Sequence, residues 1–486
     1  MITMWIFTEG DQQRGLGHLS RCSSYATAWE KLGGKVQWVI DGDSIARQFI
    51  DNKPVIWKRW QYENTTESFR LDIALIDSYC TSLSQLRKIS SSFRITIYLD
   101  DTFRLPYPNG IVIHPQSNST PFIKSSSYWL MGSYWQPIRP EFLTTKNKIS
   151  NSIINNILIM IGGTDIINIT PRIVDILREA YPSAQLHIIA KSHSEHYHNC
   201  TYYSHISANK MAELMRQCDI SICAAGQTIF ELIACLLPSI IIKTANNQSL
   251  QLDNISHYNL FEVVDDWNHK NITNKIYSRL SNINDHDVRC GYIERMKKYN
   301  LCDGATQLSK LIFDYYRMST ILTYNELTLV PFTQLSTADK IKVLSIRNKI
   351  SVRKEMINTK RISKSSHFKF IKSQINKPFD INYAIFYKGI IFGSTALREI
   401  NWIKKEAWLD IYRHPSDKWS GFGQHILSAA KHIAFNIAKF EKLKLNVKIT
   451  NHRALSLYYK NNFTEDSIKD GIIEMSILRK EIENDT

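Results

Sequence analysis

Short apolar runs that end near a glycine or an aspartate, each followed by a helical stretch, recur from the start of this chain to about residue 320. No other feature restricts its fold as much. A strand buried on both faces reads as a continuous apolar run, and strand–helix alternation builds a parallel sheet with helices on both faces. Strands are predicted at 4–8, 35–40, 73–77, 95–99, 110–114 and 129–131, and a helix over 18–32 that stops at Gly33 and Gly34. The polar stretch 146–155, rich in Asn, Ser and Lys, reads as a linker. The alternation then restarts, with strands at 157–161, 185–190, 220–223, 239–243 and 261–264 and helices at 170–180, 210–217 and 228–236. Two doubly wound halves of this kind hold a ligand in the crevice at the carboxyl ends of their strands.

From about residue 327 the pattern changes to a mixed, largely antiparallel one. Strands are predicted at 382–387, 391–398, 407–412, 444–449 and 472–478, with helices at 423–440 and 453–461. The expected fold class is therefore α/β: two Rossmann-like doubly wound domains, 1–150 and 151–322, followed by an α+β domain, 323–486. The formal charge of +15 is uneven, because residues 326–486 carry 28 Lys and Arg against 16 Asp and Glu, a net +12. A basic field there favours an acidic ligand. The chain has no apolar run of membrane-spanning length, so no membrane partner is expected. Its first residues read as a strand and not as a leader peptide. Its eight cysteines show neither paired nor metal-type spacing. They are expected to be reduced thiols of a cytoplasmic protein.

The chemistry-bearing residues cluster at the strand ends. Gly15 and Gly17 stand between the first strand and its helix, where they free the backbone for a ligand, and the open amides of the helix start favour anions. His18 follows in the first turn, placed to act as a general base. In the second half, Gly162, Gly163, Thr164 and Asp165 end a strand. Gly226 and Thr228 open a helix, with Glu231 one turn in and suited to a ribose diol; Asn247 and Gln248 offer amides to a sugar.

Together these residues resemble the UDP-sugar hydrolases of pseudaminic acid biosynthesis, relatives of the GT-B glycosyltransferases. Gly15, Gly17, His18, Arg21 and Cys22 match the opening motif of that family. Asp77 and Tyr79, the pair Asp100 and Asp101, and the turn from Gly162 to Asp165 match later ones. Ala225 stands where the family has glycine, Gln227 where it has serine, and Asn246 where it has aspartate. The resemblance covers residues 1 to about 320. It implies hydrolysis of the glycosidic C–O bond, releasing UDP and a free 2,4-diacetamido-2,4,6-trideoxy sugar of altrose type, with His18 catalytic and no metal required. Arg21, Asp77, Tyr79, Gly163, Gly226, Thr228, Glu231, Asn247 and Gln248 are the expected substrate-binding residues, beside Gly15 and Gly17. The runner-up on the same fold is a glycosyltransferase, and the related legionaminic pathway uses a similar hydrolase.

In the last third, Lys418, Gly421 and Gly423 precede a helix, and Asn451, Ala454, Tyr458, Lys460 and Phe463 recur at fixed spacing further on. The two sets resemble the GNAT acetyltransferases. Lys418 stands where the family carries Arg or Gln, and Asn462 where it carries glycine. The resemblance implies acetyl-CoA as cosubstrate, held by Lys418, Gly421, Gly423 and Asn451, with Tyr458 protonating the departing thiolate. Arg347, Asn348, Arg353 and His367 resemble the start of the acetyltransferase of the same pathway. They are expected to bind a UDP-linked 4-amino sugar, with His367 or a water as base. One chain would thus acetylate the amino sugar and then cleave UDP from the product. The contrasting reading is an inactive nucleotide-sugar fold with a basic binding module. No RNA-binding signature supports it, so no nucleic-acid partner is expected. Oligomeric state is not readable from the sequence.

Overall fold

The computed structural model describes the chain except for residues 51–52, 64–70, 116–126, 144–146, 162–164, 166–167, 191–197, 205, 245–247, 266–270, 300 and 481–486. Its contacts divide it into two units, Met1–Ser309 and Lys310–Thr486.

The first unit contains two parallel sheets. The first is built from β1 (Thr3–Gly10), β2 (Lys35–Gly42), β3 (Val55–Trp57), β4 (Leu71–Ile76), β5 (Phe93–Leu99), β6 (Ile111–His114) and β7 (Tyr128–Met131), in the order β3-β2-β1-β4-β5-β6-β7. The second is built from β8 (Asn156–Met160), β9 (Gln185–Ile189), β10 (Cys200–Tyr203), β11 (Ile220–Ala224), β12 (Ser239–Ile242) and β13 (Glu262–Val264), in the order β10-β9-β8-β11-β12-β13. Both orders reverse direction beside their first strand, between β1 and β4 and between β8 and β11. This is the Rossmann-like arrangement, and each reversal opens a crevice at the strands' carboxyl ends. The strands are continuous apolar runs because helices cover both faces: every residue of β6, β11 and β12 is buried.

The second unit holds a sheet of β14 (Leu322–Tyr324), β15 (Leu327–Pro331), β16 (Ile381–Tyr387), β17 (Ile390–Asn401), β18 (Glu406–Arg413), β19 (Lys442–Lys448), β20 (Thr464–Lys469) and β21 (Ile472–Leu478). Their order is β14-β15-β16-β17-β18-β19-β21-β20. Only β18 and β19 pair in parallel; the other neighbours are antiparallel. Two tight hairpins shape it. Lys388 and Gly389 have φ of 48° and 77°, and Asp470 and Gly471 have 52° and 73°, the left-handed pairs that two-residue hairpin turns require. One helix departs from expectation. It starts at Gly423 but gives way after Lys431 to a π turn at His432–Ile437, so it does not run to 440 as a single α-helix.

Candidate functional sites

The turn after β1 is organised by Asp11. Its Oδ1 accepts from the amides of Gln13 (2.9 Å) and Arg14 (2.6 Å), while Gly15 N–H donates to its carbonyl at 2.8 Å. Gly15 closes this turn at φ 74°, a conformation that a side chain would strain. Gly17 opens the helix Gly17–Lys31 with an ordinary φ, and a Cβ there would meet nothing within 4 Å. It lines the crevice, so its bareness keeps the crevice open. No side chain caps this helix, which leaves its first amides facing the same way.

His18, Arg21 and Cys22 lie on one face of that helix and meet Asp77, which directly follows β4. His18 Nδ1 is 2.7 Å from Asp77 Oδ1. A carboxylate can only accept, so Nδ1 carries a proton in this pair and Nε2 is the ring nitrogen left outside it. Arg21 also approaches Nδ1, at 3.1 Å, but the same Nη2 reaches Asp77 Oδ1 at 2.5 Å and donates there. Arg21 Nε donates to Asp77 Oδ2 (2.5 Å), and Nη1 to Asp101 Oδ2 (2.7 Å). Tyr79 OH donates to Asp101, and its ring meets His18 edge-on at 4.5 Å. Burial acts to raise the Asp77 carboxyl, but Arg21 and His18 outweigh it and hold it below the usual carboxylate range. Asp101 is lowered in the same way, with Arg21 and Tyr79 outweighing burial.

The mouth of this cluster forms one cavity with the second sheet. Arg14, Gly17, His18, Arg21, Tyr79 and Asp101 line one wall; Ala225, Gly226, Gln227, Gln248 and Gln251 line the other. Gln251 Nε2 donates to the Gly226 carbonyl at 2.9 Å and steadies that turn. Ala225 is fully buried at an ordinary φ, so alanine fits where glycine was expected.

Several expected roles change. Asp77 is fully buried, with His18, Arg21 and Cys22 at its oxygens. Arg21 is committed to Asp77 and Asp101. Glu231 does not line the cavity; it is buried and accepts from Arg139 Nε at 2.8 Å. Burial raises its carboxyl against the pull of Arg139. Thr228 opens the helix Thr228–Ala234 and is likewise not part of the cavity wall. Gly163 and Asn247 lie outside the described residues. Asp101, Arg14, Gln227 and Gln251 line the wall without having been singled out as site residues.

In the second unit, β18 and β19 pair over only three positions, Glu406↔Lys442, Ala407↔Leu443 and Trp408↔Lys444. They are eight and seven residues long, so beyond Trp408 they part and leave a wedge with unpaired backbone between them. The loop after β18 leads through Gly421, at φ 82°, into the helix Gly423–Lys431. Gly423 faces Leu457, whose side chain would lie 3.4 Å from an added Cβ. Asn451 Oδ1 accepts the Ala454 amide at 3.2 Å and caps the helix His452–Tyr459. That helix carries Tyr458, buried against Phe463 at 5.7 Å. The Tyr458 hydroxyl has no hydrogen-bond partner among the described residues. Burial, reinforced by the charge of Asp410, pushes its pKa up. Asn462 takes φ 64°, a conformation asparagine tolerates. Lys418 is exposed, its ammonium 5.1 Å from the Trp419 ring.

The residues expected at the acceptor sugar each make one or two bonds within the fold, and Arg347 Nη1 and Arg353 Nε are buried without a hydrogen-bond partner among the described residues. Asn348 Nδ2 donates to the Ile362 carbonyl at 2.8 Å and its Oδ1 accepts the Ile362 amide at 2.9 Å, leaving one N–H and one lone pair of the amide unused. Arg347 donates to the Asn358 carbonyl (2.8 Å) and Arg353 to the Thr359 carbonyl (3.3 Å), pinning the same loop. His367 is buried, and its Nε2 donates to the Lys340 carbonyl at 3.0 Å, so that nitrogen cannot take a proton from an amine. Burial lowers its pKa. Its Nδ1 is the ring nitrogen left outside that bond.

No protein-family model matches the chain. It is 24% identical over 261 residues to the pseudaminic acid cytidylyltransferase and UDP-2,4-diacetamido-2,4,6-trideoxy-beta-L-altropyranose hydrolase of Helicobacter pylori, covering 51% of this chain and 46% of the relative. The chain thus spans about half the length of that relative. It is 29% identical over 133 residues to the acetyltransferase PseH of Campylobacter jejuni, covering 27% of this chain and 82% of the relative. Among solved structures, PseH of Campylobacter jejuni in complex with acetyl coenzyme A is 22% identical with a TM-score of 0.27, covering 32% of this chain and 99% of that one. The spermidine N-acetyltransferase of Vibrio cholerae, in complex with CoA and spermine, is 21% identical with a TM-score of 0.30, covering 32% of this chain and 98% of that one.

Proposed function

We propose that this chain is a bifunctional enzyme of pseudaminic acid biosynthesis. Its second unit transfers acetyl from acetyl-CoA to the 4-amino group of a UDP-4-amino-4,6-dideoxy sugar. Its first unit then hydrolyses the glycosidic C–O bond of the product, yielding UDP and the free 2,4-diacetamido sugar. The observation that carries the reading is the buried Asp77–His18 pair at the reversal point of the first sheet. It sets His18, with Nε2 as the ring nitrogen outside the pair, at a cavity whose other wall is the Gly226 turn. His18 takes a proton from the attacking water, and Asp77 keeps the tautomer and stabilises the imidazolium that forms. UDP leaves as a fair leaving group toward the amides of the second wall.

In the second unit the wedge between β18 and β19 offers backbone partners to the pantetheine arm of acetyl-CoA, and the Gly421–Gly423 turn offers amides to its pyrophosphate. The neutral amine attacks the thioester carbonyl and loses a proton to a water, while Tyr458, kept protonated by burial, gives its proton to the departing thiolate and regains one from solvent. The relatives bear names that match each half of this scheme. Acetyl-CoA and UDP-sugars are cytoplasmic metabolites, which supports a cytoplasmic reading. No helix among the described residues is long and apolar enough to cross a membrane. The test is a proton NMR time course of the purified chain with the UDP-4-amino sugar and acetyl-CoA. Acetylation followed by UDP release is expected. UDP release without acetylation would leave only the first unit's assignment, and neither would overturn the reading.

A further inference from the structure

Glu9 lies near the end of β1 and is 1% exposed, beneath the glycine turn. A buried carboxylate persists only where donors fill its lone pairs. Glu9 Oε1 accepts from the Tyr79 amide at 3.0 Å. Its Oε2 accepts from Gln61 Nε2 at 2.6 Å and from Ser78 Oγ at 2.7 Å, with Arg14 Nη1 3.4 Å away. Ser78 Oγ in turn accepts from the amides of Cys80 (3.0 Å) and Thr81 (3.1 Å), so the whole loop after β4 hangs from this one group.

The donors come from three segments, and two of them flank His18. Arg14 belongs to the turn that leads into the helix of His18 and is also tied to Asp11 and Asp41. Tyr79 carries the ring that meets the imidazole edge-on and the hydroxyl that reaches Asp101. Asp77 fixes His18 from behind, whereas Glu9 fixes the walls beside it.

Resting on the hydrolase reading, we infer that Glu9 is a positioning residue for UDP-sugar hydrolysis, holding Tyr79 and the Arg14 turn in register around His18. An amide at this position offers one acceptor and turns two donor hydrogens toward donors already there. The walls would shift without any group that touches substrate being lost.

The test measures UDP release and UDP binding by the full chain carrying Glu9→Gln, Tyr79→Ala or both, with a cooperative melt as the folding control. Glu9→Gln is expected to lower kcat about 100-fold, the scale of a misplacement near 1 Å. KM and the UDP Kd should change far less, by about threefold at most, because no side chain that lines the cavity is removed. In the double variant the losses should fall well short of multiplying, since without the ring Glu9 has little left to position. A kcat within about threefold of wild type, a loss carried by KM, or fully multiplicative losses would each overturn the inference. If Glu9→Gln does not melt cooperatively, Glu9→Asp carries the test: it keeps the charge and both acceptors but retracts them by one methylene. A kcat about 10-fold lower at constant KM supports positioning, and an unchanged kcat overturns it. A wild-type chain that releases no UDP overturns the hydrolase reading and this inference together; UDP release with unaffected Glu9 variants overturns only the inference.

Discussion

The two candidate sites are held in place by opposite means. In the first unit every chemical group is locked by charge. His18, Arg21, Asp77, Asp101 and Tyr79 form one continuous network, and its central carboxylate is fully buried. In the second unit the acid Tyr458 has no such network. Its position comes from the helix that carries it and from Phe463, while the wedge and the glycine turn expose backbone. A base must present one chosen nitrogen, so its tautomer has to be dictated. A phenol only has to remain protonated, and burial alone achieves that. The contrast predicts that side-chain changes in the first site act together, while those in the second act singly.

The largest expected effect is at His18. His18→Ala should lower UDP release by at least about 1,000-fold, within the usual range for a lost general base. UDP binding by calorimetry and acetyl transfer should stay intact. Near-normal turnover would remove His18 from the mechanism.

Asp77→Asn comes next and should hit both chemistry and stability. It permits the wrong tautomer of His18 and leaves Arg21 short of a buried partner. A loss of about 3–5 kcal/mol in unfolding free energy is expected, as for other broken buried pairs. The pH dependence carries a definite sign. Because the folded-state pKa of Asp77 is depressed, its stabilisation is complete above the unfolded value of about 4 and is lost as pH falls below that. The stability gap between wild type and Asp77→Asn should therefore narrow by about 1 kcal/mol between pH 7 and pH 3, read from denaturant melts. A gap that widens on acidification would show that Asp77 is not held as a carboxylate.

Tyr458→Phe sharpens the other side of the comparison. Acetyl transfer should fall about 100-fold with acetyl-CoA affinity unchanged, since only a proton donor is lost. UDP release from a substrate that already carries the acetyl group should not move. If acetyl-CoA binding collapses as well, Tyr458 serves packing and not proton transfer.

The architecture was legible because its buried strands are continuous apolar runs. β8, β11 and β12 fall within a residue or two of where those runs predict them. β20 escaped because all six of its residues are exposed and no periodicity marks them. The signal that betrays it is the Asp470–Gly471 dipeptide, a hairpin turn beside the readable β21. β3 is only three residues long and β10 only four, too short for a period to show. His18 was legible from its glycine turn. The role of Asp77 was not, because it depends on two elements 59 residues apart meeting at the reversal of strand order. Glu9 was hidden for the same reason: at the end of an apolar strand, only the fold supplies donors that make a carboxylate bearable.

The smallest expected effect tests a residue that sequence reasoning took for functional. His367 resembled a substrate-site residue, yet its Nε2 bonds the Lys340 carbonyl and its ring packs near Phe332 at 6.1 Å. Glutamine can keep a donor to that carbonyl while losing any imidazole chemistry. His367→Gln should therefore cost about 1–2 kcal/mol of stability through imperfect packing. Its kcat for acetyl transfer should stay within about threefold of wild type, with no change in the shape of the pH–rate profile. Loss of the acid-side limb of that profile would return His367 to the role of base. An unchanged profile leaves Tyr458 as the side chain proposed to move a proton in the second site, against the five-residue network of the first.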